Sequence, residues 1–373
     1  MDRIYLDCNA STVIDPSVLK VMIEELEVDE GNPSSIHFHG RERKNTLDQC
    51  RRVIAHYLNA SPQEIIFTSG GTEGAAMLIQ GLFQNASTGH IISSGTEHPC
   101  VYYHLQEMSK RGFDVSFLPV GEWGAVRPEA VSNAIKPETR LIALMAANNE
   151  TGVVTDIEAI AKIAQSANIP FIVDGVAWLG KERINIPPGV SACFFSGHKI
   201  HAPKGIGFCL CRRSLKLSPL FPGGGQEFNR RGGTENLSGI AALAETMVLL
   251  EKNQERWIAH MQNMRDRFEK EVMRRLPNVI VNGVGPRVCN TTNLAFTGMD
   301  GESLLIKLDM AGISASHGSA CSSGGIEPSR VLLNMGMPLA RARSSIRFSL
   351  SRMTTEEKIS RAIEIVVRLG ALH

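Results

Sequence analysis

The chain has 373 residues, enough for at least one large buried core and, at ordinary domain sizes, two domains. Its 39 Lys and Arg against 38 Asp and Glu leave a net charge of +1, which excludes a strong field for steering nucleic acid or an acidic membrane surface and points to a small substrate. The opening MDRIYLDCNA has no apolar signal-peptide core, and no stretch approaches the roughly 18 apolar residues of a membrane span, so a cytoplasmic enzyme is expected.

Short apolar runs recur along the chain: EIIFT (64–68), HIISS (90–94), VSFLPV (115–120), RLIALMAA (140–147), PFIVD (170–174), ACFFS (192–196) and GFCLC (207–211). Helical patterns separate them. Seven strands rich in Ile, Val, Leu and Phe predict an α/β domain with a largely parallel sheet buried on both faces. Ligands of such sheets sit at the C-terminal strand ends. Those ends carry SGGTEG, TEHPC, NNETG, DGVAW and SGHK here, so five loops are expected to converge on one site. The polar, Gly-rich GGGQEFNRRGGTEN (223–236) reads as an exposed loop, and a long helix is expected from about Ile240 to Leu276. Beyond it NVIVNG, TTNLAF and SSIRFSL predict a smaller α+β C-terminal domain. The expected division is 14–256 for the large domain, with 1–13 and 257–373 forming the small one.

Eight cysteines lack the paired spacing of a zinc site, so no metal is expected and a reducing compartment fits. Cys209 and Cys211 share one face of an apolar strand, which makes them packing residues. Cys321 differs. HGSACSSGG surrounds it with small residues that cannot bury a thiol, leaving it accessible.

Lys199 follows Ser196-Gly197-His198, small and hydrogen-bonding residues that allow close approach to a phosphate. Alone, such a lysine reads as merely solvated. Asp174 ends the apolar FIV, where a buried carboxylate calls for a cationic partner unless it caps the next turn. Gly71 and Thr72 open a helix after a strand, a plausible anion seat. His98 can stack on a ring or relay a proton, or simply pack. Arg347, in the strand-like SSIRFSL, needs an anion, either a substrate carboxylate or an internal acid. A lysine, a carboxylate for a pyridinium nitrogen and a phosphate cup are what a pyridoxal 5'-phosphate site requires.

Together IYLDCNAST (4–12), GNPSSIH (31–37), EIIFTSGGTE (64–73), TEH (96–98), NNETG (148–152), VD (173–174), SGHKIHAPKGIG (196–207), RRGGTEN (230–236), GSACSSG (318–324) and SSIRFSL (344–350) resemble the cysteine desulfurases of the NifS/IscS type. These are fold-type I enzymes of the class V aminotransferase superfamily. The resemblance implies pyridoxal 5'-phosphate as cofactor, Lys199 as the Schiff-base lysine, Asp174 as partner of the pyridine nitrogen and His98 as the stacking residue. It further implies Thr72, Ser196 and His198 at the phosphate, with Thr234 reaching the phosphate of the other subunit of a homodimer. Asn149 would lie near the cofactor and the substrate carboxylate, and Arg347 would clamp that carboxylate. L-cysteine would be the substrate, and Cys321 would take its sulfur as a persulfide for an acceptor or scaffold protein, leaving alanine. The chain departs from the family pattern at Ala177, where glutamine is usual, at Ala75-Ala76 in place of a polar pair, at His317 before GSAC and at Val13. A selenocysteine lyase would share Lys199 and Asp174, and a weakened paralogue acting through partner binding is the reading that Ala177 suggests.

Overall fold

The seven apolar runs become the seven strands of one sheet, because residues alternate between its two faces and both faces are covered by apolar side chains. The architecture is that of a computed structural model, which describes residues 3–28, 30–318 and 327–371; Cys321 lies outside them. After a two-residue strand β1 (Ile4–Tyr5) come β2 (Ile65–Thr68), β3 (His90–Ser94), β4 (Asp114–Leu118), β5 (Thr139–Met145), β6 (Phe171–Asp174), β7 (Ala192–Ser196) and β8 (Gly207–Cys211). In the sheet they stand in the order β2-β8-β7-β6-β5-β3-β4. Only β8 runs against its neighbours, pairing antiparallel with β2 and with β7.

Along β6, Phe171 and Val173 enter one apolar cluster while Ile172 enters the other, the period-two signature of a doubly covered strand. Cys209 and Cys211 are both fully buried in the second cluster, where their thiols act as small apolar groups. A close backbone approach joins β8 to the turn after β2: a Cβ on Gly207 would lie 2.6 Å from the Cα of Gly70, so only glycine fits.

The second sheet comprises β9 (Val279–Val281), β10 (Thr291–Phe296) and β12 (Ser345–Ser349), in the order β12-β10-β9 and antiparallel throughout. Its core of Leu294, Phe296, Ile346 and Phe348 also takes in Ile4 and Leu6, because β1 pairs with β11 (Ile313–Ser314). One helix, Leu237–Arg275, serves both cores. Asn236 caps it by accepting from the Gly239 N–H. Ile240, Leu243 and Met247 pack under the large sheet, and Met264, Phe268 and Val272 under the small one. The helix therefore runs unbroken through residue 257.

The Gly-rich segment 223–236 is anchored rather than loose. Glu227 accepts from both terminal nitrogens of Arg51, at 2.7 and 2.8 Å, and from the Phe67 N–H, and the two charged side chains are almost fully buried. Glu227, Phe228 and Asn229 hold φ of 47°, 57° and 62°, a left-handed run that the buried pair stabilises.

Candidate active site

Six of the seven strands, all but β8, end on one edge of the sheet, and the loops beyond β2, β3, β5, β6 and β7 enclose a cleft of roughly 220 Å³. Gly71, Thr72, His98, Asn149, Asp174, Ser196, His198, Lys199 and Arg347 all line it. Each is a residue the sequence singles out. The reversal of β8 explains why its own C-terminal end supplies none of them: that end faces the opposite edge.

Helix Gly71–Phe83 starts at the cleft wall, and the unsatisfied N–H groups of its first turn make an anion seat. A Cβ on Gly71 would come within 2.8 Å of Val176 Cγ2, so the wall closes only over glycine. Asp174, at the end of β6, is buried, and its Oδ1 accepts from the Val176 N–H at 2.9 Å. Burial pushes its carboxyl up to about 6, offset in part by that bond and by the charge of Lys199. Among the described residues no Lys or Arg closes an ion pair with it. A cationic ring nitrogen is what such a group lacks.

Lys199 follows β7 in a single helical turn, Gly197–Lys199. Its Nζ donates to the carbonyls of Asn9 at 2.5 Å and Ala10 at 2.8 Å, so the N-terminal segment closes the cleft over the amine. His98 caps helix Pro99–Lys110. Its Nδ1 accepts from the Cys100 N–H at 3.2 Å and contacts the Cys100 thiol at 3.0 Å, which leaves the ring proton on Nε2. Burial, then the charges of Lys199 and Arg330, depress His98 to about 4, and burial with Lys199 does the same to His198. Both imidazoles are neutral at pH 7.

Arg347 is almost fully buried on β12, with one terminal nitrogen on Asp7 Oδ1 at 2.7 Å and the other on the Asn149 carbonyl at 3.0 Å. Among the described residues its Nε has no hydrogen-bond partner, and the side chain lines the cleft. The internal salt bridge to Asp7 is therefore present in the fold. Thr234 is exposed and is not among the residues lining this chain's own cleft.

A model of the class V aminotransferases matches residues 4–362. The chain belongs to that family. Cysteine desulfurase IscS of Dictyoglomus turgidum is 39% identical over 371 residues, covering 98% of this chain and 94% of the relative. A solved NifS-like protein superimposes with a TM-score of 0.92 at 30% identity, with 100% of both chains covered. The structure of SspA in complex with cysteine gives 0.82 at 31% identity, covering 94% of this chain and 100% of that one.

Ala177 stands at the cleft with no side-chain donor. Ala75 is fully buried in the helix after Gly71, where its small size suits the packing. His317 donates through Nε2 to the Arg343 carbonyl, 2.8 Å away.

Sequence reading missed four parts of the site. Asn9 and Ala10 act through main-chain carbonyls, which no side-chain motif reports. Lys181 and Cys100 line the cleft but lie in LGK and HPC, segments without a distinguishing pattern. Glu97 and Glu150, inside TEH and NNETG, are buried acids: burial pushes Glu97 up to about 8 and raises Glu150, which Ser329 hydrogen-bonds. Arg330 donates to the carbonyls of Gly95 and Glu97 and stacks on Tyr102 at 4.0 Å. Ser329 and Arg330 thus fasten the chain soon after the GSAC segment to the loops carrying Asn149 and His98.

Proposed function

We propose that this protein is a pyridoxal 5'-phosphate-dependent cysteine desulfurase, removing sulfur from L-cysteine and leaving L-alanine. What carries the reading is the convergence of Lys199, Asp174 and His98 on one cleft beside a helix N-terminus, in a chain homologous to cysteine desulfurases over its whole length. The bound cofactor would supply an electron sink for negative charge at the substrate Cα. Lys199 would hold it covalently and, once released, move the Cα proton. Asp174 would keep the ring nitrogen protonated. The Gly71 turn, Thr72, Ser196 and His198 would receive the phosphate, with Thr234 of a second copy in a homodimer.

The orphaned Nε of Arg347 and the amide of Asn149 would orient the substrate carboxylate. His98, neutral and carrying its proton on Nε2, would lie against the ring and donate to it or to the leaving group. Cys321 would attack the substrate sulfur as thiolate; the carbon–sulfur bond breaks, the carbon takes up a proton, and a persulfide remains on Cys321 for an acceptor or scaffold protein of iron–sulfur or thio-cofactor assembly. The division into 14–256 and 1–13 with 257–373 belongs to the same proposal. No described helix is long and apolar enough to cross a membrane, in keeping with a cytoplasmic setting.

The test is alanine release from L-cysteine by the cofactor-loaded protein, together with mass spectrometry for sulfur on Cys321. Cys321→Ala is expected to keep the cofactor and lose the protein persulfide. No alanine from the wild type refutes the reading, and a persulfide on another cysteine of the variant refutes the role of Cys321.

A further inference from the structure

The cleft contains a second amine. Lys181 lies beyond Asp174 on the loop after β6 and is only 6% exposed. Its Nζ donates to the main-chain carbonyl of Lys199 at 2.7 Å, and both lysines line the same cleft. The groups acting on Lys181 most strongly are Lys199, the buried thiols of Cys289 and Cys8, and Arg352. Among the described residues no carboxylate forms an ion pair with it. Among the described residues, the titratable groups sharing the cleft with the two lysines include His98 and His198, both neutral at pH 7, Asp174 and Arg347.

We propose that Lys181 is a positioning residue whose buried ammonium discourages Lys199, free or joined to its cofactor, from holding a proton, and so keeps it reactive near neutral pH. This rests on Lys199 being the cofactor lysine. Two like charges in a water-poor cleft disfavour each other's charged form, and a neighbouring cation is an established way to activate a lysine. The carbonyls of Asn9 and Ala10 favour the charged amine, and Lys181 offsets them. Asp174 also favours it, but a cationic ring nitrogen would engage that carboxylate once cofactor is bound. Burial first, then Lys199, brings Lys181 down to about 8, so it keeps its charge at pH 7 and sheds it above. The bond to the Lys199 carbonyl fixes where that charge stands.

The experiment compares cofactor-loaded wild type, Lys181→Met and Lys181→Arg by pH titration of the cofactor's visible band. The Met variant is expected to raise the band's pKa by about one unit or more, and the Arg variant to hold it near the wild-type value. A lysine that merely packs would leave that pKa unmoved. Alongside, cofactor-stripped wild type is treated with formaldehyde and cyanoborohydride across pH, and methylation of Lys199 is read by mass spectrometry. Its midpoint is expected at least about one unit below the ~10.4 of an ordinary lysine. An unchanged band pKa in a Met variant that binds cofactor overturns the proposal. So does a methylation midpoint near that of free lysine, a measurement that stands even if the variants fail to fold. Wild type that takes up no cofactor at Lys199 refutes instead the reading of the site.

Discussion

Replacing Asp174 by Asn separates what that carboxyl costs the fold from what it gives the site. Burial raises its pKa from 3.8 to about 6 in the folded chain. The folded state therefore binds this proton more tightly than the unfolded chain does, and the stability so gained is full below the unfolded value and lost as pH rises through about 6. The loss is a little over two units at about 1.36 kcal/mol each, or about 3 kcal/mol by pH 8 and roughly half of that at pH 5. Asparagine carries no charge and retains an oxygen for the Val176 N–H. Cofactor-stripped Asp174→Asn should thus exceed the stripped wild type by about 3 kcal/mol at pH 8. Added pyridoxal 5'-phosphate should reverse the ranking, because only the carboxylate can pair with a cationic ring nitrogen. Urea unfolding at pH 5 and pH 8, with and without cofactor, reads both effects. A stripped variant no more stable than wild type at pH 8 would show that the carboxylate is compensated within the protein, and the account of Asp174 would be wrong.

Lys199→Ala is expected to lose the cofactor's visible band and all turnover, since Lys181 has its amine committed to the residue-199 carbonyl; a retained band would refute the assignment. Arg51→Met should lower stability by about 3 to 5 kcal/mol in denaturant unfolding by stranding the buried Glu227, and Arg51→Met combined with Glu227→Gln should recover part of it. A loss below about 1 kcal/mol would show that water reaches the pair. Ala177→Gln adds a donor at the cleft and is expected to lower the pKa of the visible band without reducing turnover, checked by titrating the loaded protein beside wild type.

All seven strands of the large sheet were legible because each is a short apolar run, near-continuous in the strands covered on both faces, while β4 at the sheet edge is only half-buried. The helix expected from about Ile240 to Leu276 forms over Leu237–Arg275, its start fixed by the Asn236 cap. The direction of β8 was not legible: GFCLC looks like its neighbours, and its reversal depends on the loop 197–206 returning the chain beside β7. Side chains bearing chemistry at strand ends announced themselves through unusual residue types in Gly-rich surroundings. What escaped was contact between distant segments. The Asp7 partner of Arg347, the carbonyls that hold Lys199 and the lysine behind it are fixed by tertiary placement, on which local pattern is silent.

The way the N-terminal strand closes the cleft bears on how the molecule is made. Asp7 meets Arg347 across 340 residues of sequence, and Asn9 meets Thr291 across 282. At about 5 to 20 residues per second, the first segment to leave the ribosome waits roughly 17 to 70 seconds for its partner strand. In that interval the large sheet can assemble behind it with its lysine in place, while the Arg347 end of the cleft does not yet exist. On the proposed reading, a chain stalled before residue 347 would carry the cofactor lysine and Asn149 but lack the arginine that completes the cleft. Completion of β12 is then the step of synthesis that closes the cleft.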